Sequence, residues 1–126
     1  MQTYHGGCHC GAVRFEVETE LTAVTECNCS ICGKKGALLH RVPAERFRLV
    51  AGEDALQTYT FNTETARHHF CRHCGIHPFS RPRANPALYT INVRCLDDYD
   101  LEAEQPERRR FDGKNWEQAF EKANFG

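Results

Sequence analysis

The sequence lacks an excess of charge of either sign, and it lacks any long apolar run. Its 126 residues carry 16 basic against 17 acidic side chains. Proteins that bind nucleic-acid phosphates or anionic membranes usually carry a positive excess. No stretch is long enough to span a bilayer, and residues 1–7 lack the cationic and apolar segments of an export signal. We therefore expect a soluble, cytoplasmic protein with no nucleic-acid or membrane partner.

Low-complexity tracts are also absent, and the short repeated cysteine pairs do not establish an internal duplication. The length is that of one domain, whose modest core would benefit from added cross-links. We predict a single domain spanning residues 1–126. The sequence gives no indication of the oligomeric state.

Cysteine, in contrast, is abundant, with eight residues. In a chain without an export signal, closely spaced cysteines indicate metal binding more often than disulfides. The alternative is a secreted disulfide scaffold. That alternative is awkward for neighbours such as Cys8 and Cys10, because each would need a distant partner with correct bridge geometry.

Four of the cysteines form one complete tetrahedral set. Cys71 and Cys74 have the spacing of a zinc turn, in which both sulfurs reach one ion and the following Gly75 permits a tight backbone. Cys8 and Cys10 supply the other half. A metal shared by these pairs would close a long loop and restrict the unfolded chain. Four thiolates leave no position for substrate, which favours a structural zinc.

Three further cysteines, Cys27, Cys29 and Cys32, lie within six residues without a fourth thiol nearby. Catalytic zinc sites typically have three protein ligands and one exchangeable position. The alternative is a second structural site completed by one of the seven histidines, none of which we assign as a ligand. Cys95 is left over, and we interpret it as a small buried apolar residue.

The remaining pattern predicts short strands and one short helix. In residues 12–18, Val13, Phe15 and Val17 alternate with charged side chains. Residues 76–80 contain Pro78, which favours an edge strand, and residues 97–110 are interpreted as surface segments. A helix is predicted over residues 115–124, with Trp116, Ala119, Phe120 and Ala123 as a packing stripe. The other predicted strands cover residues 21–25, 37–42, 47–50, 56–61, 66–70 and 87–93, and residues 33–36 are predicted to form a loop.

Four segments resemble the glutathione-dependent formaldehyde-activating enzyme family, which also includes centromere protein V. The resemblance spans most of the chain and is carried by Gly7-Cys8-His9-Cys10-Gly11, Cys27-Asn28-Cys29-Ser30-Ile31-Cys32, Phe70-Cys71-Arg72-His73-Cys74-Gly75 and Asn92-Val93-Arg94-Cys95-Leu96-Asp97-Asp98.

That resemblance implies a mainly β fold, the β-tent, in which zinc holds antiparallel sheets together. It implies two Zn²⁺ ions per chain, with Cys95 taking no ligand role. It also implies a carbon–sulfur lyase reaction that joins formaldehyde and glutathione, or a related small thiol, into S-(hydroxymethyl)glutathione. The implied ligands are Cys8, Cys10, Cys71 and Cys74 for a structural zinc, and Cys27, Cys29 and Cys32 for a catalytic zinc.

At such a catalytic site, the substrate thiol could take the fourth zinc position. Three protein thiolates make the complex net negative, so positioning of a thiolate is favoured over strong carbonyl polarisation. Lys34, Lys35 and Arg94 are candidates to balance that charge and to bind carboxylates, although Lys34 and Lys35 could equally belong to a solvated loop. The competing interpretation of the whole protein is a non-catalytic, zinc-stapled β-tent binding module.

Overall fold

The computed structural model describes residues 1–122, and most of its regular elements are strands. The predicted mainly β architecture with a short C-terminal helix is confirmed. The strands are β1 (Gln2–Gly7), β2 (Arg14–Thr19), β3 (Ala23–Cys27), β4 (Leu39–Val42), β5 (Phe47–Ala51), β6 (Leu56–Tyr59), β7 (Arg67–Cys71), β8 (Phe79–Arg81), β9 (Tyr89–Asn92) and β10 (Glu107–Phe111), and the helices are α1 (Ser30–Lys35), α2 (Leu101–Glu104) and α3 (Trp116–Lys122).

The strands form two sheets. The smaller has the order β1-β2-β5, and the larger has the order β10-β3-β4-β9-β8-β7-β6. An aromatic cluster joins them, because Phe47 of β5 stacks on Tyr89 of β9 with ring centroids 4.1 Å apart. Phe15 of β2 meets Phe79 of β8 edge-on in the same cluster. Such ring pairs add about 0.5–1.5 kcal/mol each beyond the area they bury.

The predicted edge position of the Pro78 segment is wrong. Strand β8 begins one residue later, at Phe79, and it lies between β7 and β9. The Pro78 carbonyl accepts a hydrogen bond from the Asn92 backbone N–H at 2.9 Å. A proline just before a strand can accept in this way without needing an N–H of its own.

The predicted loop over residues 33–36 is mostly helical. Helix α1 continues through Gly33 to Lys35 and ends at Gly36, whose φ of +66° is easy only for glycine. The Gly36 N–H bonds to the Cys32 carbonyl at 3.0 Å. Lys34 and Lys35 therefore occupy the last helical turn, where positive charge interacts favourably with the helix dipole.

The region interpreted as surface segments contains helix α2 and strand β10, neither of which the pattern predicted. Strand β10 pairs with β3 in parallel, with Phe111 opposite Cys27, so this pair is an exception to the antiparallel pairing of the other strands. Its sequence does not alternate because four of its five residues are exposed. The pairing brings the segment after Phe111 beside the cysteines that follow β3.

The C-terminal helix is confirmed as α3. Its predicted packing stripe is only partly buried, since Phe120 is 38% exposed and stacks on Trp116 at 4.8 Å. Ala123, and the predicted helix end at residue 124, lie outside the described residues. Within residues 1–122, none of the helices has the length and apolar character that crossing a membrane requires.

Candidate metal centres and their cavity

The structure brings together both cysteine sets that the spacing had grouped. In each set, all the sulfurs lie within 4.8 Å of one another. The first set, here called the four-cysteine cluster, consists of Cys8, Cys10, Cys71 and Cys74. The second, here called the trio, consists of Cys27, Cys29 and Cys32.

The four-cysteine cluster has sulfur separations that suit a tetrahedral metal. The Cys10 sulfur lies 3.6 Å from that of Cys8 and 3.7 Å from that of Cys71. Zinc–sulfur bonds of about 2.3 Å in a regular tetrahedron require sulfur separations of about 3.8 Å. The cluster therefore fits one four-coordinate ion.

Two tight backbone turns hold this cluster. In the first, the Cys8 N–H bonds to the Val13 carbonyl at 3.1 Å, and the Val13 N–H points back to the Cys8 sulfur at 3.3 Å. In the second, the Gly75 N–H bonds to the Cys71 carbonyl at 2.8 Å, with Gly75 at φ +78°. The glycine after the second pair is thus needed for its left-handed conformation, as the zinc-turn pattern predicts.

The trio lies where β3 ends and α1 begins. Cys27 is the last residue of β3, and Cys29 is the N-cap of α1, with its sulfur accepting from the Cys32 backbone N–H at 3.4 Å. One turn of helix then returns Cys32 to the same side. Neither cluster includes a histidine nitrogen among residues 1–122.

The sulfurs of the trio hold their protons unequally. Hydrogen bonds from the thiols of Cys27 and Cys32 lower the pKa of Cys29 to about 2. Hydrogen bonding with Cys27, and then with Cys29, raises the pKa of Cys32, and the hydrogen bond with Cys29 raises that of Cys27. One negative charge is easily accommodated, whereas repulsion opposes a second and a third. A cation between the sulfurs removes that repulsion, so this donor set fits a metal ion.

The segment after β10 covers the trio. A β-carbon built on Gly113 would lie 2.6 Å from the Cys27 sulfur and 2.6 Å from the Cys29 β-carbon. Asn28 fixes this segment, since its amide donates to Asp112 at 3.0 Å and its oxygen accepts from the Lys114 N–H at 3.1 Å. Asn28, between two of the cysteines, thus holds Gly113 close to their sulfurs.

A cavity of about 1120 Å³ opens beside the trio, and all three cysteines of the trio line it. This volume lies slightly above the range of about 300–1,000 Å³ that is typical of small-molecule sites. We call it the trio cavity. The described residues that line it include no aspartate or glutamate, but they include five cationic ones: Arg41, Arg83, Arg109, Arg110 and Lys114.

Lys35 also brings positive charge towards the trio. Burial lowers its pKa, while attraction to the sulfurs of Cys32 and Cys29 raises it. Its Nζ donates to His68 Nδ1 at 3.2 Å. Burial, and then the charge of Lys35, lower the pKa of His68 to about 4. His68 is therefore neutral near pH 7 and accepts a hydrogen bond from Lys35.

None of the three predicted cations, Lys34, Lys35 and Arg94, lines the trio cavity itself. Lys34 is exposed and, with Lys35, lines a neighbouring groove of about 730 Å³ that shares Ser30, Ile31 and Phe61 with the trio cavity. Arg94 donates through Nε to the Gly36 carbonyl at 3.2 Å. Cys95 lies outside both clusters, against the core, where burial raises its pKa to about 11.

Sequence patterns did not single out Arg41, Asn28 or Gly113, because strand register and the parallel pairing of β10 bring them to the site.

Comparison with known proteins identifies one family and one similar crystal structure. The family model described as glutathione-dependent formaldehyde-activating enzyme matches residues 3–114, a range that contains both clusters and Gly113. A crystal structure of a Rhodobacter sphaeroides protein is similar, with a TM-score of 0.76 and 36% sequence identity. That match covers 83% of this chain and 98% of the other.

Proposed function

Because the chain belongs to the glutathione-dependent formaldehyde-activating enzyme family, we propose that it holds two zinc ions and joins formaldehyde to glutathione or a related small thiol. In this proposal the four-cysteine cluster is structural, and the trio is the reaction site. The activity is that of a carbon–sulfur lyase, an S-(hydroxymethyl)glutathione synthase.

One observation carries the proposal: the trio provides three sulfurs and no fourth protein ligand among residues 1–122, and it borders a cavity that can admit a small molecule. The four-cysteine cluster instead provides a full tetrahedral set. Structural zinc sites are closed in this way, whereas catalytic zinc sites keep one position for substrate.

The reaction requires a nucleophilic sulfur near neutral pH. Cys27, Cys29 and Cys32 would hold the zinc, which would supply a position where a substrate thiol could bind as thiolate. The thiolate sulfur attacks the formaldehyde carbon, the carbon–sulfur bond forms as the carbonyl π bond breaks, and the oxygen takes up the proton that the thiol gave up. Three protein thiolates and one substrate thiolate exceed the charge of a divalent ion, and Lys35 lies where it offsets that excess.

A second candidate function is a non-catalytic zinc-stapled binding module. The neighbouring groove that Lys34 lines favours it, because apolar side chains there are open to solvent. Tyr59 is 51% exposed and Ile76 is 39% exposed, and both line this groove. Exposed apolar surface of this kind is typical of contact sites for other molecules.

The decisive experiment is two-dimensional exchange NMR on a mixture of glutathione and formaldehyde. The zinc-loaded protein should accelerate interconversion with S-(hydroxymethyl)glutathione above the spontaneous rate. Cys29→Ser should abolish that acceleration, whereas Cys95→Ser, outside both clusters, should retain it. Equal exchange rates with and without the wild-type protein would refute the enzymatic proposal and favour the binding module.

A further inference from the structure

A row of polar side chains crosses the sheet beneath the trio cavity. Arg41 of β4 is paired directly with Thr90 of β9, Thr90 with Ser80 of β8, and Ser80 with His68 of β7. All four residues line the cavity. Directly paired residues point to the same face of a sheet, and neighbouring strands are about 4.8 Å apart. The four side chains, here called the polar row, therefore extend over about 14 Å of one surface.

Three of the four residues of the polar row are buried, and Arg41 is partly buried. Thr90 is 3% exposed, and His68 and Ser80 are 7% and 8% exposed. The Thr90 hydroxyl has no hydrogen-bond partner among residues 1–122. Leaving a buried hydroxyl unsatisfied costs about 1–3 kcal/mol. A ligand in the cavity that accepts a hydrogen bond would recover that free energy.

The charge around the polar row selects the sign of such a ligand. Acidic residues outnumber basic ones in the whole chain, 17 to 16. The described lining of the trio cavity nevertheless has five cationic side chains and no carboxylate. Arg83 and Arg109 are paired with Glu117 and Glu107, so their charge is partly neutralised. The five cationic side chains without a lining carboxylate give the cavity a positive field, which favours an anion.

Arg41 is the cation of this set that belongs to the polar row. It lies near enough to the trio for the Cys27 sulfur to favour its charged form, against the effect of burial. Its planar guanidinium presents a fork of N–H groups that matches a carboxylate. The paired Thr90 places a hydroxyl donor one strand away. Together they form a recognition surface for a carboxylate on a molecule whose sulfur is held at the trio.

Building on the proposed function, we propose that Arg41 and Thr90 bind a carboxylate of the thiol substrate, so that the site selects acidic thiols over neutral ones. These two residues determine specificity, because they bind a part of the substrate that does not react. Removing them should weaken binding of an acidic thiol in the ground state and the transition state equally, which raises KM and leaves kcat nearly unchanged.

The test compares glutathione with its diethyl ester, in which both carboxylates are capped. For the zinc-loaded wild-type protein, the exchange-NMR KM should be on the order of 10- to 100-fold higher for the ester, the range expected for losing a charged hydrogen-bonded contact. Arg41→Gln should raise the KM for glutathione towards that of the ester and change the ester KM little. Arg41→Lys should restore part of the preference, and Thr90→Val should reduce it several-fold.

The matched control is Arg48→Gln, on β5 of the smaller sheet, where Arg48 is exposed and paired with Glu16. It should keep the full preference for glutathione. Wild-type protein that treats the two thiols alike, or Arg41→Gln that keeps the wild-type preference, would overturn the inference.

Calorimetric binding of both thiols to the zinc-loaded protein separates this failure from failure of the proposed function. A binding preference that depends on Arg41, without any acceleration of exchange, would support the inference while refuting the enzymatic reaction. Equal affinity for the two thiols would overturn the inference even if exchange is accelerated.

Discussion

Adding one methyl group at Gly113 is the most direct test of the arrangement around the trio. The new β-carbon of Gly113→Ala would lie 2.6 Å from both the Cys27 sulfur and the Cys29 β-carbon. Ordinary contacts between such atoms are about 3.5–4.0 Å, so something must move by about 1 Å. Either the Gly113 segment moves outward or the Cys27 sulfur moves away from the rest of the trio.

Both movements have a cost that can be estimated. An outward shift strains the two hydrogen bonds between Asn28 and residues Asp112 and Lys114, each contributing about 0.5–1.5 kcal/mol. Overpacking of this kind costs about 1–3 kcal/mol in total. If the Cys27 sulfur is the group that moves, the same free energy is lost from metal binding at the trio, and the affinity falls by about 5- to 150-fold. The four-cysteine cluster, formed by other segments, should be unaffected.

The assay is zinc stoichiometry by mass spectrometry, with a chelator titration to rank the two sites. Gly113→Ala should lose the weaker zinc at lower chelator concentration than wild type. Gly33→Ala is the matched control, since its added β-carbon lies no closer than 3.9 Å to its nearest neighbour, the Asn28 carbonyl oxygen. Identical titrations for Gly113→Ala and Gly33→Ala would refute this account of the cover over the trio.

Three further predictions concern folding. Cys71→Ser should abolish cooperative unfolding by circular dichroism, whereas Cys29→Ser should keep the fold and one zinc ion per chain; equal loss of structure would contradict the separate roles. Burial lowers the pKa of His40, and its hydrogen bond to the Ala23 carbonyl only partly offsets that effect. The unfolded chain therefore binds the proton more readily, and stability should fall as the pH decreases below about 6.5. In urea titrations, His40→Gln should lose less stability than wild type between about pH 7.5 and 5.5. Equal losses in the two proteins would contradict this role of His40. Phe47→Ala should lower the free energy of unfolding by about 3 kcal/mol, because the Phe47 ring joins the two sheets. The control is Val50→Ala on the same strand, where Val50 is 47% exposed. This variant should change the free energy of unfolding by less than about 0.5 kcal/mol.

The cysteine clusters could be predicted from the sequence because ligand spacing is largely a local property. A two-residue gap with a following glycine sets the backbone turn of Cys71 and Cys74, and the strand-to-helix junction brings Cys27 and Cys32 together. Strands with one buried face were predicted for a similar reason. The side chains of β2 alternate between buried and partly exposed positions, and that alternation is visible in the sequence.

The rest of the site depends on pairings between distant segments. Arg41 and Thr90 meet through the register of β4 and β9, and nothing in either segment specifies that register. Strand β10 has exposed arginines on both faces, so it lacks the alternation that identifies a half-buried strand. Gly113 reaches the trio only because β10 pairs with β3 in parallel. These are tertiary properties, which local periodicity does not encode.

The parallel pairing of β10 with β3 also sets an order of assembly during synthesis, which proceeds from the N-terminus. The ligands of the four-cysteine cluster are all present once Cys74 has been made, while Gly113 is still to come. A nascent chain can thus close its first metal site while Cys27, Cys29 and Cys32 remain open to the solvent and to whatever delivers the ion. A metal ion would then reach the trio before the Gly113 segment covers it.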